Sequence, residues 1–389
     1  MAGEFKIDGT CDGRFQPVAD AFQQNFATGK EVGASLAVIY EGRIVLNLWG
    51  GHVDAARTRP WEQDTLAVVF STTKMVTALC VLHLADRGLI DLDAPVAKYW
   101  PEFTSHGKGN ILIRHVLSHT AGLPGFTPRV TLADMLDWEK VIHILEAEKL
   151  KWAPGTKLGY HTLTYGFLLG EVVRRVSGKT LGAYLRDEIT APLGIDFFIG
   201  LPEEKEKLVA DVVPEQQKFT PLQVFLIKLL FPQAMRIVAN PYLDREAFNT
   251  RECHAVQIPA GNGIGNARSV AQLGSILANG GAYSGTYNGK QVLSRSMVER
   301  AIQEQVRGRD VIAFRRPSAW GLGVMLFNQD LLLGPRSFYT SGLGGSVCVM
   351  DLERNVTLAY VMNRMAELSE GDARSIPLVQ KLWECMPTA

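Results

Sequence analysis

The chain has 389 residues, of which 47% are hydrophobic and 21% charged, and this composition is typical of a soluble globular protein with a sizeable core. Forty basic and forty acidic residues give a formal net charge of zero, so bulk electrostatics favours neither nucleic acid nor an anionic membrane surface as a partner. The five cysteines are widely spread without a C-x-x-C pair, and the eight histidines form no His-Glu-x-x-His pattern. We therefore expect no disulfide framework, no metal site and no cofactor. The balanced charge makes a small molecule the default partner. The N-terminus has no apolar segment behind a basic start, which predicts a cytoplasmic protein.

The N-terminal part predicts a helix followed by a hairpin. Residues 14–29 place Phe and Val side chains on one helical stripe, which predicts an amphipathic helix. Residues 33–40 and 43–51 are β-rich, and Glu41-Gly42 between them is a candidate hairpin turn.

Residues 71–87 predict a buried helix, because apolar residues cover most of its surface. Ser71 is a preferred N-cap type, and Gly88 suits the C′ position. On such a helix Ser71 and Lys74 lie one above the other, with the hydroxyl within reach of the ammonium. The helix start also supplies unpaired N–H groups and a partial positive charge, which would stabilise a developing oxyanion. The stretch thus predicts a nucleophile with a titratable neighbour.

Coincidence is the alternative interpretation of this spacing. Ser105 and Lys108 repeat it, but neighbouring glycines and a proline indicate a loop with no fixed spacing between the two side chains. The buried helix behind Ser71 favours catalysis there. His119, in a Gly/Pro loop after a short helix predicted at 114–118, is a further candidate base, although packing or hydrogen bonding is the commoner role.

The middle of the chain is predicted to be mostly helical. Residues 131–150 and 162–196 have helical patterns, and Tyr160 lies between them in a loop after the Pro154-Gly155 turn. Residues 219–250 are apolar but interrupted by Lys228 and Pro232, so the uninterrupted apolar run falls short of the ~20 residues of a membrane span. They predict either a flap or wall over an apolar pocket or a plain buried helix.

The C-terminal part begins with a glycine-rich stretch at 261–265. No Lys-Ser/Thr follows it, so we reject nucleotide binding. After a further helix, strands are predicted at 319–327, 337–351 and 355–363, and a helix closes the chain. Strands at both chain ends around a helical middle predict an α/β (α+β) fold that is a single catalytic unit. Within it, 1–70 plus 257–389 would form an α/β subdomain and 71–256 a mostly helical one.

Three motifs in order carry a family resemblance. They are Ser71-x-x-Lys74 at a helix start, Tyr160 at the end of a Pro-Gly-x-x-x-x-Tyr turn, and Ser-Gly-Leu-Gly-Gly-Ser at 341–346 on a late strand. With them, nearly the whole chain resembles the serine β-lactamase and penicillin-binding-protein superfamily, and within it the family VIII carboxylesterases. The resemblance implies a β-lactamase/transpeptidase-like fold with an antiparallel sheet built from both chain ends.

The resemblance also implies roles for these residues. Ser71 would be the acylated nucleophile, Lys74 and Tyr160 would together accept and return its proton, and the N–H groups of Ser71 and Leu343 would form the oxyanion hole. Unperturbed Tyr and Lys have pKa values near ~10 and ~10.4, so at pH 7 only about one part in a thousand or less of either is basic. Each pKa must therefore be shifted or coupled, and which residue is the base stays open.

Two departures from the β-lactamase pattern bear on the substrate. β-Lactamases carry Tyr-x-Asn and Lys-Thr-Gly where this chain has Tyr-His-Thr at 160–162 and Thr-Ser-Gly at 340–342. The missing amide and the missing cation favour uncharged esters over anionic β-lactams. No Gly-x-Ser-x-Gly motif supports an α/β-hydrolase. The residues assigned to substrate binding are Thr162, Thr340, Ser341 and Gly342.

The sequence therefore predicts a serine carboxylesterase that hydrolyses small to medium carboxylic esters through an acyl-enzyme. The alternatives are an acyltransferase that uses the same acyl-enzyme, a weak β-lactamase and, least favoured, a non-catalytic binding protein. The natural substrate and the oligomeric state stay open.

Overall fold

The computed structural model describes residues 5–215, 220–242, 245–283, 290–326, 328–331, 334–366 and 372–387. Its strands in these ranges are β1 Ile7–Cys11, β2 Gly33–Tyr40, β3 Arg43–Gly51, β4 Ala67–Val68, β5 Phe197–Phe198, β6 Ile264–Gly265, β7 Ala282–Tyr283, β8 Lys290–Gln291, β9 Val306–Arg309, β10 Pro317–Trp320, β11 Ser337–Ser341, β12 Val347–Asp351 and β13 Val356–Met362. Its α-helices are α1 Gln16–Ala27, α2 Thr73–Asp86, α3 Ile113–Leu117, α4 Leu132–Met135, α5 Trp138–Ala147, α6 Thr164–Ser177, α7 Leu181–Leu185, α8 Ala191–Leu193, α9 Pro221–Leu230, α10 Pro232–Val238, α11 Arg251–Ala255, α12 Ala267–Ala278, α13 Arg295–Ile302 and α14 Ser375–Cys385. Short 3-10 turns include Phe70–Thr72 and Pro101–Asn110.

The main sheet has six strands in the order β1-β3-β2-β13-β12-β11, and its neighbours are antiparallel. β2 and β3 form the predicted hairpin, and both turn residues, Glu41 (φ 49°) and Gly42 (φ 75°), lie in the left-handed region that such two-residue turns require. β13 pairs with β2 along its full length and brings the C-terminal part of the chain beside the N-terminal part. The predicted sheet from both chain ends is confirmed.

Both faces of this sheet are covered by helices. Successive side chains of a strand point to opposite faces, so each strand contributes to two cores. Leu36 and Val38 of β2 pack into a core with α1 and α14. Ala37 and Ile39 belong to the larger core on the other face, where α12 crosses β2, β12 and β13. The predicted stripe of α1 is buried in the first of these cores.

α2 is buried along residues 73–84, as predicted. It ends at Asp86 with Arg87 as the C-cap residue, and Gly88 follows with φ 74°, which confirms the C′ position. The predicted N-cap is wrong. Ser71 lies inside the 3-10 turn Phe70–Thr72, and Thr72 precedes the first α-helical residue.

Two predicted strands are shorter than expected. Residues 337–351 form two strands, β11 and β12, because the chain reverses between them at Gly344 (φ 90°) and Gly345 (φ 120°). The strand predicted at 319–327 ends at Trp320, and the chain turns before Met325 bridges back to β11. Position 327 of that prediction lies outside the described residues.

The helical middle is confirmed, whereas the subdomain boundaries at 70 and 257 stay a prediction. Within 219–250, α9 leaves several large apolar side chains exposed, which rules out a plain buried helix for them. These are Phe225, Leu226, Leu229 and Leu230. In the described part of the chain, no helix has the length and apolar character needed to cross a bilayer.

Candidate active site

Ser71 is half-buried in a turn that two distant segments hold in place. The preceding residue, Phe70, has φ 46°, a left-handed conformation that is rare for a bulky residue. One residue earlier, the Val69 N–H donates to Gly263 O (2.9 Å), and Val69 O accepts from Ser346 Oγ (2.8 Å). The turn is therefore held between the glycine-rich stretch and the end of the β11–β12 hairpin.

Lys74 reaches Ser71 from the first turn of α2. Its Nζ lies 3.0 Å from Ser71 Oγ and donates to Ala260 O at 2.9 Å. The side chain is only 2% exposed, and burial holds the pKa of Lys74 well below its ordinary value. Among the described residues no carboxylate forms an ion pair with it. The predicted pair of Ser71 and Lys74 is thus in hydrogen-bond contact, with an amine whose neutral form is favoured.

The glycine-rich stretch brings its backbone against the start of α2. The Gly263 N–H donates to Thr73 Oγ1 at 2.8 Å, and a Cβ on Gly263 would lie 2.5 Å from the same oxygen. This close approach also presents Ala260 O to Lys74. Sequence reasoning missed Ala260, which lies directly before that stretch and carries no chemical group that would mark it.

Tyr160 stands over Lys74, with its ring centroid 4.7 Å from Nζ. Its backbone N–H donates to both carboxylate oxygens of Asp310, at 3.1 and 3.0 Å. Asp310 is buried, and burial raises the pKa of its carboxyl against the opposing effect of the N–H groups that it accepts. Sequence reasoning missed Asp310. An aspartate directly after a strand is a common turn residue, and nothing in the sequence links it to Tyr160.

The end of the β11–β12 hairpin lies against the Ser71 turn. A Cβ on Gly342 would collide with Val69 O and with Ser346 Oγ, and Ser346 Oγ lies 3.0 Å from Thr72 Oγ1. Gly342 itself donates to Ser346 O at 2.8 Å. Leu343 follows Gly342 in this reversal. The two segments that carry the predicted oxyanion donors are therefore adjacent.

The remaining predicted substrate residues differ in exposure. Thr340 is buried in β11, and Ser341, the last residue of that strand, is half-buried. Thr162 is half-buried in the segment that leads into α6. Their role in substrate binding stays a prediction.

Two buried histidines contact the Tyr160 segment through its backbone and through the Tyr160 ring. His161 Nδ1 donates to Gly159 O (2.7 Å), Nε2 accepts from the Leu123 N–H (3.2 Å), and burial lowers the pKa of His161 to about 4. His119 Nδ1 accepts from the His161 N–H at 3.0 Å, and its ring centroid lies 4.7 Å from that of Tyr160. Burial, together with nearby positive charge, holds the pKa of His119 well below its ordinary value, and the contacts of both rings are those of packing and hydrogen-bonding groups.

The second Ser-x-x-Lys sequence has a different environment. Lys108 Nζ lies 3.1 Å from Ser105 Oγ, so the expectation of no fixed spacing is wrong. The same Nζ donates to Glu146 O (2.8 Å) and Glu148 O (2.7 Å) and fastens the kinked 3-10 segment to the end of α5. Lys108 therefore joins two backbone segments, in contrast to Lys74.

An apolar wall lies beside Tyr160. Trp152, Ile237 and Ile312 form a separate buried cluster, against which Tyr160 and Val311 pack. Ile237 belongs to α10, so part of the apolar 219–250 stretch contributes to this wall. That arrangement supports the flap or wall interpretation of the stretch.

A helix that begins at a Ser-x-x-Lys turn, beside the edge hairpin of an antiparallel sheet with helices on both faces, defines a β-lactamase/transpeptidase-like fold. Residues 18–381 match the family described as Beta-lactamase, and the chain belongs to that family.

Three relatives show the extent of the similarity. Esterase/beta-lactamase LipL of Mycobacterium tuberculosis is 33% identical over 383 residues, which cover 92% of this chain and 83% of LipL. The crystal structure of a family VIII carboxylesterase superposes with a TM-score of 0.89 at 37% identity, covering 98% of this chain and 100% of the other. A penicillin-binding protein homologue from Caulobacter crescentus superposes with a TM-score of 0.85 at 36% identity, again covering 98% and 100%.

Proposed function

We propose that this protein is a carboxylic ester hydrolase that forms an acyl-enzyme at Ser71. The observation that carries the proposal is the 3.0 Å contact between Ser71 Oγ and the buried Lys74 Nζ. A buried lysine without a carboxylate partner is suited to be neutral, and a neutral amine can accept the hydroxyl proton of its neighbour.

The geometry is suited to acylation of Ser71. Lys74 Nζ keeps one N–H on Ala260 O, which directs its lone pair away from that carbonyl and leaves it free for the Ser71 hydroxyl. As Ser71 Oγ attacks the ester carbonyl, its proton moves to the pair formed by Lys74 and Tyr160, and this pair returns the proton to the departing alkoxide. Water attacks the acyl-enzyme by the same path in reverse. The Tyr160 ring faces Nζ and would stabilise the ammonium while it holds the proton.

The oxyanion hole of the proposal consists of the Ser71 and Leu343 N–H groups. Both lie in tight turns, and these turns are joined by the contacts of Ser346 with Val69 and Thr72. Fixed backbone donors of this kind need no reorganisation during the reaction, and removal of one oxyanion-hole donor costs about 2.7–4 kcal/mol in another acyl-transfer enzyme.

The surroundings favour an uncharged ester of small to medium size. Thr340 is a neutral, buried residue where β-lactamases have a lysine. The wall of Trp152, Ile237 and Ile312 offers apolar surface to the acyl or alcohol part of a substrate. Relatives over nearly the whole chain are described as a family VIII carboxylesterase and as an esterase/beta-lactamase.

The proposal is tested with Ser71→Ala and with the matched control Ser105→Ala, which alters the other Ser-x-x-Lys sequence. With a short-chain nitrophenyl ester, Ser71→Ala should lower kcat by roughly 10⁴-fold or more. Ser105→Ala should retain the wild-type rate, because within the described ranges its hydroxyl bonds to Lys108 and to Glu146 O, away from Ser71. Near-full activity of Ser71→Ala would refute the proposal.

β-Lactam hydrolysis is a second candidate, because the name of the LipL relative includes it. We expect it to be slow, since the neutral Thr340 cannot pair with the carboxylate of a β-lactam. A chromogenic cephalosporin should turn over far more slowly than the nitrophenyl ester. Equal rates would contradict the role that we propose for Thr340 and Thr162.

A further inference from the structure

The loop at 310–316 joins β9 to β10 and reaches the backbone of Tyr160. Asp310 accepts the Tyr160 N–H with both carboxylate oxygens, and its Oδ1 also accepts the N–H groups of Ile312 and Ala313, each at 2.8 Å. A second bond, from the Val311 N–H to Leu158 O (3.0 Å), ties the loop to the same segment. The tip of the hairpin is thus attached to the chain on which Tyr160 stands.

The environment of Asp310 is unusual for a turn aspartate. Its side chain is buried, with 1% of the residue exposed, and in the described part of the chain the carboxylate accepts from backbone N–H groups and forms no ion pair with a basic side chain. Burial of a carboxylate without a cation is costly, and a local turn does not require it. Of the three donors, only Tyr160 comes from a distant part of the chain.

Asp351 provides an internal comparison. It is also buried, and its Oδ1 accepts the N–H groups two and three residues ahead, Glu353 (3.0 Å) and Arg354 (2.8 Å), in the turn between β12 and β13. The local pattern is that of Asp310. The difference lies at Oδ2, which in Asp351 accepts from the Ser337 hydroxyl and lies 3.8 Å from Arg354 Nη1, but in Asp310 accepts the Tyr160 N–H.

We propose that Asp310 is a positioning residue that fixes Tyr160 in its place over Lys74. The inference rests on the proposed function, in which Tyr160 shares the transferred proton. Asp310 holds the backbone of Tyr160 at the point from which the side chain projects, and a displacement of about 1 Å in such a group can cost ~100-fold in rate. The same loop places Val311 and Ile312 at the apolar wall. The Asp310 carboxylate would therefore position both Tyr160 and this part of the wall.

The test compares Asp310→Asn with Asp351→Asn. The amide oxygen can keep the Oδ1 position of the local turn, but the NH₂ group at the Oδ2 position would face the Tyr160 N–H as one donor against another and would push it away. We expect Asp310→Asn to lower kcat for a nitrophenyl ester by about 10- to 100-fold, with KM changed by less than about threefold. Asp351→Asn should leave kcat of the folded enzyme unchanged. Equal kcat values for Asp310→Asn and wild type would overturn the inference.

A double-mutant cycle separates positioning from general destabilisation. If Asp310 acts through Tyr160, Asp310→Asn should lower kcat little further when Tyr160→Phe is already present. Additive losses would overturn the inference. If Asp310→Asn does not fold, Asp310→Ser takes its place, because a serine hydroxyl supports the local turn and is too short to reach Tyr160. Retention of activity by Ser71→Ala would instead refute the proposed function, so the two failures are distinguishable.

Discussion

Two buried lysines, each in contact with a serine three residues earlier, should respond oppositely to substitution by methionine. Lys74 Nζ lies 3.0 Å from Ser71 Oγ, and Lys108 Nζ lies 3.1 Å from Ser105 Oγ. We expect Lys74→Met to abolish ester turnover with little change in stability. Lys108→Met should do the reverse.

The expected changes in stability follow from the buried carbonyl oxygens that lose their hydrogen-bond donor in each variant. Without Lys108, Glu146 O keeps its bond from Ser105 Oγ, but Glu148 O loses its donor. An orphaned buried carbonyl costs about 1–3 kcal/mol, which is the expected loss in the free energy of unfolding. Lys74→Met also orphans one carbonyl, but it removes an amine whose charged form burial disfavours without opposition, and the two effects offset each other. Burial lowers the pKa of Lys108 too, but there the Glu148 and Glu146 carboxylates oppose it, so little offset is expected.

The stability difference between wild type and Lys74→Met should depend on pH. Burial places the pKa of Lys74 in the folded protein below its ordinary value of 10.5, so between these two values the unfolded chain binds more protons than the folded one. The free energy of unfolding of the wild type therefore rises with pH across this window. Below the window, the cost of burying the charged Lys74 ammonium is fully present. Lys74→Met should lack this slope.

The assay pairs denaturant unfolding, followed by tryptophan fluorescence, with initial rates normalised to folded protein. Loss of stability without loss of activity in Lys74→Met would refute the reasoning. So would a strong loss of kcat in Lys108→Met while the protein remains folded.

Two further predictions concern the rest of the site. Tyr160→Phe should keep stability close to that of wild type while it slows acylation by orders of magnitude and shifts the rise of kcat/KM with pH; an unchanged pH profile would leave Lys74 as the sole base. Gly342→Ala should lower both activity and thermal stability, because the added Cβ meets Val69 O and Ser346 Oγ and pushes the hairpin away from Ser71. Wild-type melting and activity of this variant would contradict the close approach described above.

The sequence could predict the elements whose periodicity is local. The β2–β3 hairpin and the buried α2 follow from alternation, turn residues and apolar coverage within single stretches. The contact of Ser71 with Lys74 needed only the spacing along a helical turn. The reversal at Gly344 was missed because two short strands and their glycine turn form one continuous β-rich run.

Contacts between distant segments could not be predicted. Asp310 and Tyr160 are separated by 149 intervening positions, and their bond is a backbone N–H to a carboxylate, which leaves no signal in side-chain type at Tyr160. The support of Lys74 by Ala260 O likewise depends on a backbone atom. The contact between Lys108 and Ser105 shows the converse, since a glycine-containing segment holds a fixed geometry through bonds to the end of α5.

The central claim is that Ser71, activated by Lys74, is acylated. The most direct measurement is labelling of the folded wild-type protein with a serine-reactive phosphonate, followed by intact-mass analysis and peptide mapping. The account predicts a single adduct on the peptide that contains residues 71–74, its loss in Ser71→Ala and no adduct on the peptide that contains Ser105. A folded protein that takes up no phosphonate at Ser71, or takes it up at another serine while ester turnover is blocked, would contradict the account.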